Sequence, residues 1–358
     1  MLHPCHWDST YHLLQKYRPL NLPSVSVIIP CRNEEQYIRK CIDSVVKSNY
    51  PKDKLSVYVC DGMSNDSTRS IIQELIKDYS NIFLLDNHAQ VTPLALNLGL
   101  KKSNADVKII LGAHSEVDSN FVRENVNALS ISEDIGCVGG VLTNVYENET
   151  AEIIGLAMSS GFGVGNAHFR TGSKSGYVDT VAFGAYKKEV FNQVGYFDED
   201  LVRNQDDEFN FRLIKNGFKI YLSDKIKCKY YVRASYKKLF KQYDQYGYWK
   251  VFVNCKHKTI TTLRQMVPLF FVLYLISLLL TGLFSTALML GYGGILICYL
   301  LGAIYFASKQ TKNLSKMVKV AYSFAILHIS YGYGYLRGVV AFILLGKKPS
   351  QKSKTLSR

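Results

Sequence analysis

Several signatures that would place this chain quickly are missing. Its eight cysteines (Cys5, Cys31, Cys41, Cys60, Cys137, Cys228, Cys255 and Cys298) are scattered, with no Cys-x-x-Cys pair among them. That spacing excludes a zinc array. Several of them fall on apolar positions, where a thiol behaves as a small hydrophobe, as suits a reducing, cytosolic setting. No Gly-x-Gly-x-x-Gly follows the first apolar strand, which argues against a dinucleotide-binding fold. The formal net charge is +14, yet no RNA- or DNA-binding motif accompanies it, so no nucleic-acid partner is expected. The first residues hold no continuous apolar core of the signal-peptide kind. Residues 267–307, about 40 in a row, carry no charge at all.

The charge that is present comes in blocks. Lys and Arg cluster at 225–264, 309–319 and 347–358, and these blocks flank the apolar runs. Such placement favours an anionic membrane surface as partner. The uncharged run has room for two spans of about 20 residues, a tight hairpin broken at Gly291-Tyr-Gly-Gly294; a buried core hairpin is the alternative. A third apolar run, 320–345, holds His328, Arg337, Gly332, Gly334 and Gly338. With all basic blocks on the cytoplasmic side the hairpin obeys the positive-inside rule, whereas a third full span would carry 347–358 across. A re-entrant or interfacial element is therefore expected there, with His328 and Arg337 facing protein, water or headgroups. Three regions result: a lead-in, 1–23; an α/β domain, 24–255; and a membrane region, 256–358.

Within the α/β domain, strands are expected at 25–29, 55–60, 82–85, 107–111 and 136–141. Helices fit between them, for instance at 67–79 and 92–100. Tyr37/Ile38, Cys41/Ile42 and Val45/Val46 recur four apart, which is one helix face. Alternation of this kind predicts a mixed, mainly parallel sheet flanked by helices. Residues 150–260 read as more irregular, rich in Gly, Tyr and charge.

Three constellations carry chemistry. The first is the turn Pro30-Cys-Arg-Asn-Glu-Glu35 with Asp61, at the ends of two buried strands, where open α/β sheets bind ligands. A carboxylate there can accept from a base N–H or a ribose hydroxyl; helix capping by Asn33 is the plainer account. The second is Leu111-Gly-Ala-His-Ser-Glu-Val-Asp118. Its His114, Glu116 and Asp118 could hold a divalent metal and a diphosphate, or Asp118 or Ser119 could cap a helix over 121–129. The third is Asn204-Gln-Asp-Asp-Glu208. Three acids at a helix start suit the helix dipole; crowded carboxylates also shift one another's pKa, as a general base requires.

Taken together, Val27-Ile-Ile-Pro-Cys-Arg-Asn-Glu34, Val59-Cys-Asp-Gly62 with Asp66 and Thr68, Leu96-Asn97-Leu-Gly99, Gly184-Ala185, Val194-Gly195-Tyr-Phe-Asp198 and Asn204-Gln-Asp-Asp-Glu208 resemble glycosyltransferase family 2 on a GT-A fold. The resemblance spans about residues 24–250. The tail, with His328-Ile-Ser-Tyr-Gly-Tyr-Gly334 and Leu336-Arg-Gly338, is similar to membrane-anchored bacterial exopolysaccharide glycosyltransferases of the succinoglycan-synthesis type. The resemblance implies a donor site of Pro30, Arg32, Glu34, Asp61, Asn97, Gly112 and His114, with Glu34 on the ribose and Asp61 on the uracil of a nucleotide sugar. It implies a divalent cation, Mg2+ or Mn2+, on the His114 segment. The sequence departs there, because Gly112 stands where the family has its first Asp; Glu116 and Asp118 are the candidate substitutes beside His114. It further implies Asp206 as catalytic base, Asp207 as its neighbouring candidate, Glu208 as an orienting acid, and Arg212, Gln245 and Trp249 on the acceptor and membrane side. Tyr248 replaces the Arg that processive synthases carry between that Gln and Trp.

The expected activity is therefore inverting transfer of a single sugar from a nucleotide-diphosphate donor, a UDP-sugar, to a lipid-linked or polysaccharide acceptor. The expected place is the inner (cytoplasmic) membrane, with the catalytic domain facing the cytoplasm and touching membrane lipids. The alternative is a non-catalytic nucleotide-sugar-binding subunit of a polysaccharide assembly complex. Gly112 favours that alternative; the intact acids around Asp206 oppose it.

Overall fold

The computed structural model describes residues 22–165, 167–172, 175–232 and 234–349. Most of the expected lead-in, Arg233 and the end of the basic tail lie outside the described residues.

The first half builds the parallel part of the sheet. In chain order it comprises β1 (Val25–Cys31), α1 (Ile38–Val46), β2 (Leu55–Asp61), α2 (Thr68–Asp78), β3 (Ile82–Asp86), α3 (Thr92–Lys102), β4 (Val107–Ile110), β5 (Ser115–Val117) and α4 (Phe121–Leu129). β1 and β2 are rich in Val and Ile and bury both faces, which is how a strand reads when helices cover the sheet on each side. α1 buries Ile38, Cys41, Ile42, Val45 and Val46, the four-apart pairs of the sequence. Each buried Val or Ile there contributes about 1.5–3 kcal/mol.

The second half is more regular than the sequence suggests. It holds β6 (Ile135–Val145), α5 (Glu149–Met158), two single-turn helices (Gly161–Val164 and His168–Thr171), β7 (Gly176–Val178), β8 (Ala182–Lys187), α6 (Lys188–Val194), α7 (Gln205–Lys215), β9 (Lys219–Tyr231) and α8 (Tyr236–His257). The expectation of an irregular 150–260 is corrected. β9 alternates charged and apolar residues and buries alternate side chains, so its charge disguises a strand with one wet face. Among the described residues one nine-stranded sheet forms, in the order β3-β2-β1-β4-β8-β6-β9-β5, with β7 also on β9. β3, β2, β1 and β4 run parallel; β8 turns antiparallel to both β4 and β6. The C-terminal ends of β2, β1 and β4 thus lie side by side, bringing residues 30–34, 61 and 112–114 to one rim.

Beyond α8 come α9 (Val267–Thr281), α10 (Thr286–Gln310) and α11 (Leu314–Gly338), the last continuing into a π-helical turn (Val339–Leu344). Two helical stretches, Leu263–Thr281 and Thr286–Gln310, are long and apolar enough to cross a membrane and are almost unburied by the protein itself. The hairpin turn lies at 282–285, not at Gly291–Gly294, which sit inside α10. Ser285 decides the matter: its side chain accepts from the Leu288 N–H and starts the helix, while glycine is well tolerated in membrane helices.

α11 is the packed helix of the three. It crosses α8 at glycines on both sides: a Cβ on Gly334 would lie 1.9 Å from the Asp244 carbonyl oxygen, and one on Gly247 would lie 2.0 Å from that of Tyr331. Only glycine lets the two backbones approach so closely. The Tyr-Gly-Tyr-Gly run of the tail is therefore a helix crossing. His328 faces protein, with its ring nitrogens on the Tyr299 hydroxyl and the Phe162 carbonyl.

Candidate active site

The rim begins with the turn after β1. Asn33 adopts a left-handed backbone, φ 55°. Its Oδ1 accepts from the Asn65 N–H, and its own N–H donates to Ser64 Oγ. The Glu34 N–H donates to Thr68 Oγ1, and Glu35 accepts from the Ser67 N–H. Asn33 therefore ties two loops together instead of capping α1. Pro30 pairs with Cys60 across β1 and β2, and Arg32 lies against Gly62. Glu34 is buried, and its Oε1 stands 3.7 Å from His114 Nδ1. The His114 ring meets Tyr230 of β9 edge-on.

Asp61 is fully buried at the end of β2. Its carboxylate accepts from Ser64 through backbone and hydroxyl, and from Arg69 Nη1 at 2.7 Å. The same Arg69 nitrogen reaches Asp86 at 2.8 Å. No motif of the sequence marks Arg69 or Ser64; their one signal is a polar segment three to eight residues after Asp61 that leads into a helix. Asn97 is also buried and acts as a clasp: it donates to the Phe197 carbonyl and Glu199, and accepts from the Phe197 N–H.

The His114 segment does not gather its neighbours. Glu116 pairs with Lys229 at 2.9 Å and accepts from Tyr231. Asp118 accepts from the Asn120 N–H in the turn ahead of α4; Asn120 itself holds the cap position and no side chain bonds there, so the expected Asp118 cap is corrected. A Cβ on Gly112 would come within 2.9 Å of the Phe183 ring, so an aspartate there needs that ring to move. Among the described residues no three His, Cys, Asp or Glu side chains are placed to hold a metal ion. The residues present therefore do not fit a divalent cation on the His114, Glu116 and Asp118 set, because the Lys229 ion pair and the turn bond from Asn120 have already engaged two of the three.

The acid loop and α7 form the opposite wall, and α8 grips them along its length. Asn204, φ 59°, donates to the Tyr246 carbonyl, and Arg203 donates to Gln245. Lys250, with a side chain 0% exposed, reaches Asp207 Oδ2 at 2.5 Å and Thr262 at 3.2 Å. Lys256 pairs with Asp198 and Asp200. Glu208 receives a two-pronged bond from Arg212, at 2.7 and 2.9 Å, and a contact from His257 Nε2 at 2.9 Å. Arg212 also donates to the carbonyls of Val194 and Tyr196, so it braces the loop from below. Trp249 is fully buried under Leu201 and Val202. Gln245, Trp249 and Arg212 thus lie beneath the acid loop as its scaffold.

Asp206 differs from its neighbours. Its side chain is open to solvent, although dense protein surrounds it. That surrounding mass, and then the charge of Asp207, raise its pKa above the ordinary carboxylate value. Lys250 and His257 carried no sequence signal: they lie 43 and 49 residues from the acids they touch.

Comparison with known proteins decides the family. The chain is 31% identical over 323 residues to the dolichyl N-acetyl-alpha-D-glucosaminyl phosphate 3-beta-D-2,3-diacetamido-2,3-dideoxy-beta-D-glucuronosyltransferase of Methanococcus voltae, covering 88% of this chain and 97% of that one. It is 31% identical over 255 residues to the succinoglycan biosynthesis protein ExoA of Rhizobium meliloti, covering 70% and 76%. The glycosyl transferase family 2 model matches residues 26–195.

The chain belongs to glycosyl transferase family 2.

It is accordingly a glycosyltransferase, and its relatives act in polysaccharide or glycolipid synthesis. The fold agrees. The mannosyltransferase PcManGT of Pyrobaculum calidifontis, solved with GDP-Man and Mn2+, superposes with TM-score 0.58 at 17% identity over 86% of this glycosyltransferase and 88% of that chain. That neighbour shows that divalent cation use is compatible with the fold; the ligands in this chain would have to differ from the set expected of it.

Proposed function

We propose that this glycosyltransferase moves one sugar, with inversion, from a UDP-sugar to a lipid-linked or polysaccharide acceptor at the cytoplasmic face of a membrane. The observation that carries this reading is the division of labour in the acid run. Asp207 and Glu208 are held by cations, while Asp206 opens to solvent with a raised pKa. In the proposed step the Asp206 carboxylate takes the acceptor hydroxyl proton as that oxygen bonds to the anomeric carbon. The bond from that carbon to the diphosphate oxygen breaks on the opposite face, and nucleoside diphosphate leaves with the electron pair. Holding donor and acceptor in line supplies much of the rate. In this reading Glu34 and His114, with Pro30 and Arg32, border the ribose and diphosphate, and Asp61 orders the base-side loop through Ser64 and Arg69.

The membrane reading rests on α9 and α10 as a spanning hairpin and on α11 as an in-plane helix, within a membrane region of 256–358 joined to a catalytic domain of 24–255. Lys316 and Lys319 pair with Glu152 and Glu149 on α5, and Arg337 pairs with Asp244 on α8. Those ends are roughly 32 Å apart along a helix, enough to cross the hydrocarbon. Both nevertheless clasp the catalytic domain. The outward face of α11 carries exposed Leu314, Val318, Tyr322, Ile329 and Tyr333, a stripe suited to the lipid interface. The catalytic domain and the basic tail then share one side, as the positive-inside rule asks.

The test is nucleoside diphosphate release by purified, detergent-solubilised protein over a panel of sugar nucleotides with lipid acceptors, against Asp206→Asn. UDP release from one donor, abolished in the variant, is expected; donor binding with no release in either protein overturns the reading. Parallel assays in EDTA read separately whether a cation is needed.

A further inference from the structure

Lys250 is a lysine with no solvent access, placed at the acid run by a helix that leads into the membrane region. A buried ammonium is costly unless a carboxylate pairs with it, and here Asp207 does. His257, whose ring packs at a tilt against that of Phe211, performs the equivalent task for Glu208 together with Arg212. Three consecutive acids thus receive unequal treatment: Asp207 and Glu208 meet cationic or donor side chains, whereas Asp206 accepts from the backbone N–H of Asp207.

We propose that Lys250 and His257 of α8 are positioning residues that hold Asp207 and Glu208 as charge-matched supports, so that Asp206 alone is available to take the acceptor's proton. The inference rests on the reading of Asp206 as the base.

The groups that act on Asp206 can be named. Asp207 lies beside it on α7, and its N–H donates to Asp206 Oδ1. Arg203 approaches from the preceding loop, and the buried Tyr186 lies within electrostatic reach on β8. Lys250 acts on Asp206 through Asp207, which Tyr331 of α11 also senses. Removing the ammonium leaves Asp207 as an uncompensated negative charge next to the base. That charge opposes ionisation of Asp206 and delays it to higher pH. Removing the Asp207 charge as well cancels the effect. A purely structural lysine has no reason to behave this way.

The experiment is a pH profile of UDP release by the full-length, detergent-solubilised protein, with a panel of UDP-sugars as probes. The proteins are wild type, Lys250→Met, Lys250→Arg, Asp207→Asn/Lys250→Met and Asp206→Asn. The expected result for Lys250→Met is an acid limb moved up by about one pH unit, with release about tenfold lower below the limb and recovering in alkali. Lys250→Arg restores the wild-type limb, and so does the double variant, which also covers the case where the single variant folds poorly. A uniform loss across pH, or a limb that does not move, overturns the proposal. Activity retained in Asp206→Asn instead overturns the base assignment, a separate failure. If no UDP-sugar turns over, the thermal unfolding midpoint is followed against pH for the same set. A base with a raised folded pKa favours the fold at low pH and loses that advantage as pH rises through it. The pH at which the difference between wild type and Asp206→Asn levels off must then move up in the Lys250→Met background; an unmoved plateau rejects the proposal.

Discussion

Asp61 and Asp207 are both carboxylates next to a single cation, but they differ in where that cation comes from. Asp61 takes Arg69 from eight residues along the chain, on the helix that directly follows its strand. Asp207 takes Lys250 from 43 residues away, across an intervening strand and about four turns into a long helix. The first pairing is a local device that a strand–turn–helix unit supplies by itself. The second exists only after α8 has docked. The donor rim can therefore take shape within the parallel half of the sheet, whereas the acid run depends on the part of the molecule that joins the membrane.

The largest effect expected is at the base. Asp206→Asn lowers turnover by about a thousandfold while leaving the unfolding midpoint near wild type, since general-base catalysis contributes about 10²–10⁴-fold. Stopped assays of UDP release, with circular dichroism as the fold control, decide this. Equal loss of activity and of folded signal would make the acid run structural, and the contrast between the two stations would vanish.

Next comes the local pair. Arg69→Met leaves the Asp61 carboxylate buried beside Asp86 with no guanidinium. The expected cost is about 3 kcal/mol, in line with breaking a buried ion pair from one side. Adding Asp61→Asn should return most of it, measured by chemical unfolding of the single and double variants. A double variant as unstable as the single one would show that Arg69 works through Asp86, and the pairing at Asp61 would lose its meaning.

The third prediction concerns the docking on which the remote pair depends. Gly334→Ala puts a methyl group 1.9 Å from the Asp244 carbonyl oxygen, so α8 and α11 must part. Overpacking of this kind costs about 1–3 kcal/mol. The acid station should suffer more than the donor rim: UDP release falls further than donor affinity, measured by titration calorimetry with the donor that turns over. An equal fall in both would mean that α11 supports the whole domain evenly.

This asymmetry also explains what could be read in the chain. β1 to β4 and their helices are legible because each is a short apolar run with a local boundary, and the four-apart pairs of α1 point straight at its buried face. The order of motifs from Glu34 to Asp206 identifies the family, since each is a short contiguous string. Side chains whose partners lie far along the chain are a different matter. Asn97 looks like a ligand-binding amide and is bonded to the 197–199 loop; Glu116 looks like a metal ligand and is paired with Lys229. Trp249, expected on the acceptor and membrane side, packs with Leu201 and Val202. β9 escapes notice because four lysines and Asp224 stand exposed along it. In each case a tertiary contact determines the role, and no local pattern records it.

The smallest predicted effect tests the two stations by pH. Asp206 must be ionised to accept a proton, and the protein mass around it, followed by the Asp207 charge, raises its pKa from the ordinary value near 4. The sign follows directly: activity is full above the raised pKa and declines as pH falls through it, so the acid limb of kcat/KM lies above the usual carboxylate range. Donor binding at the other rim has a different dependence. The Asp61 charge is matched by Arg69, which stays protonated throughout, so donor affinity should stay level across the window in which kcat/KM falls. Affinity that declines along the same limb would place the titrating acid at the donor rim and move the base away from Asp206.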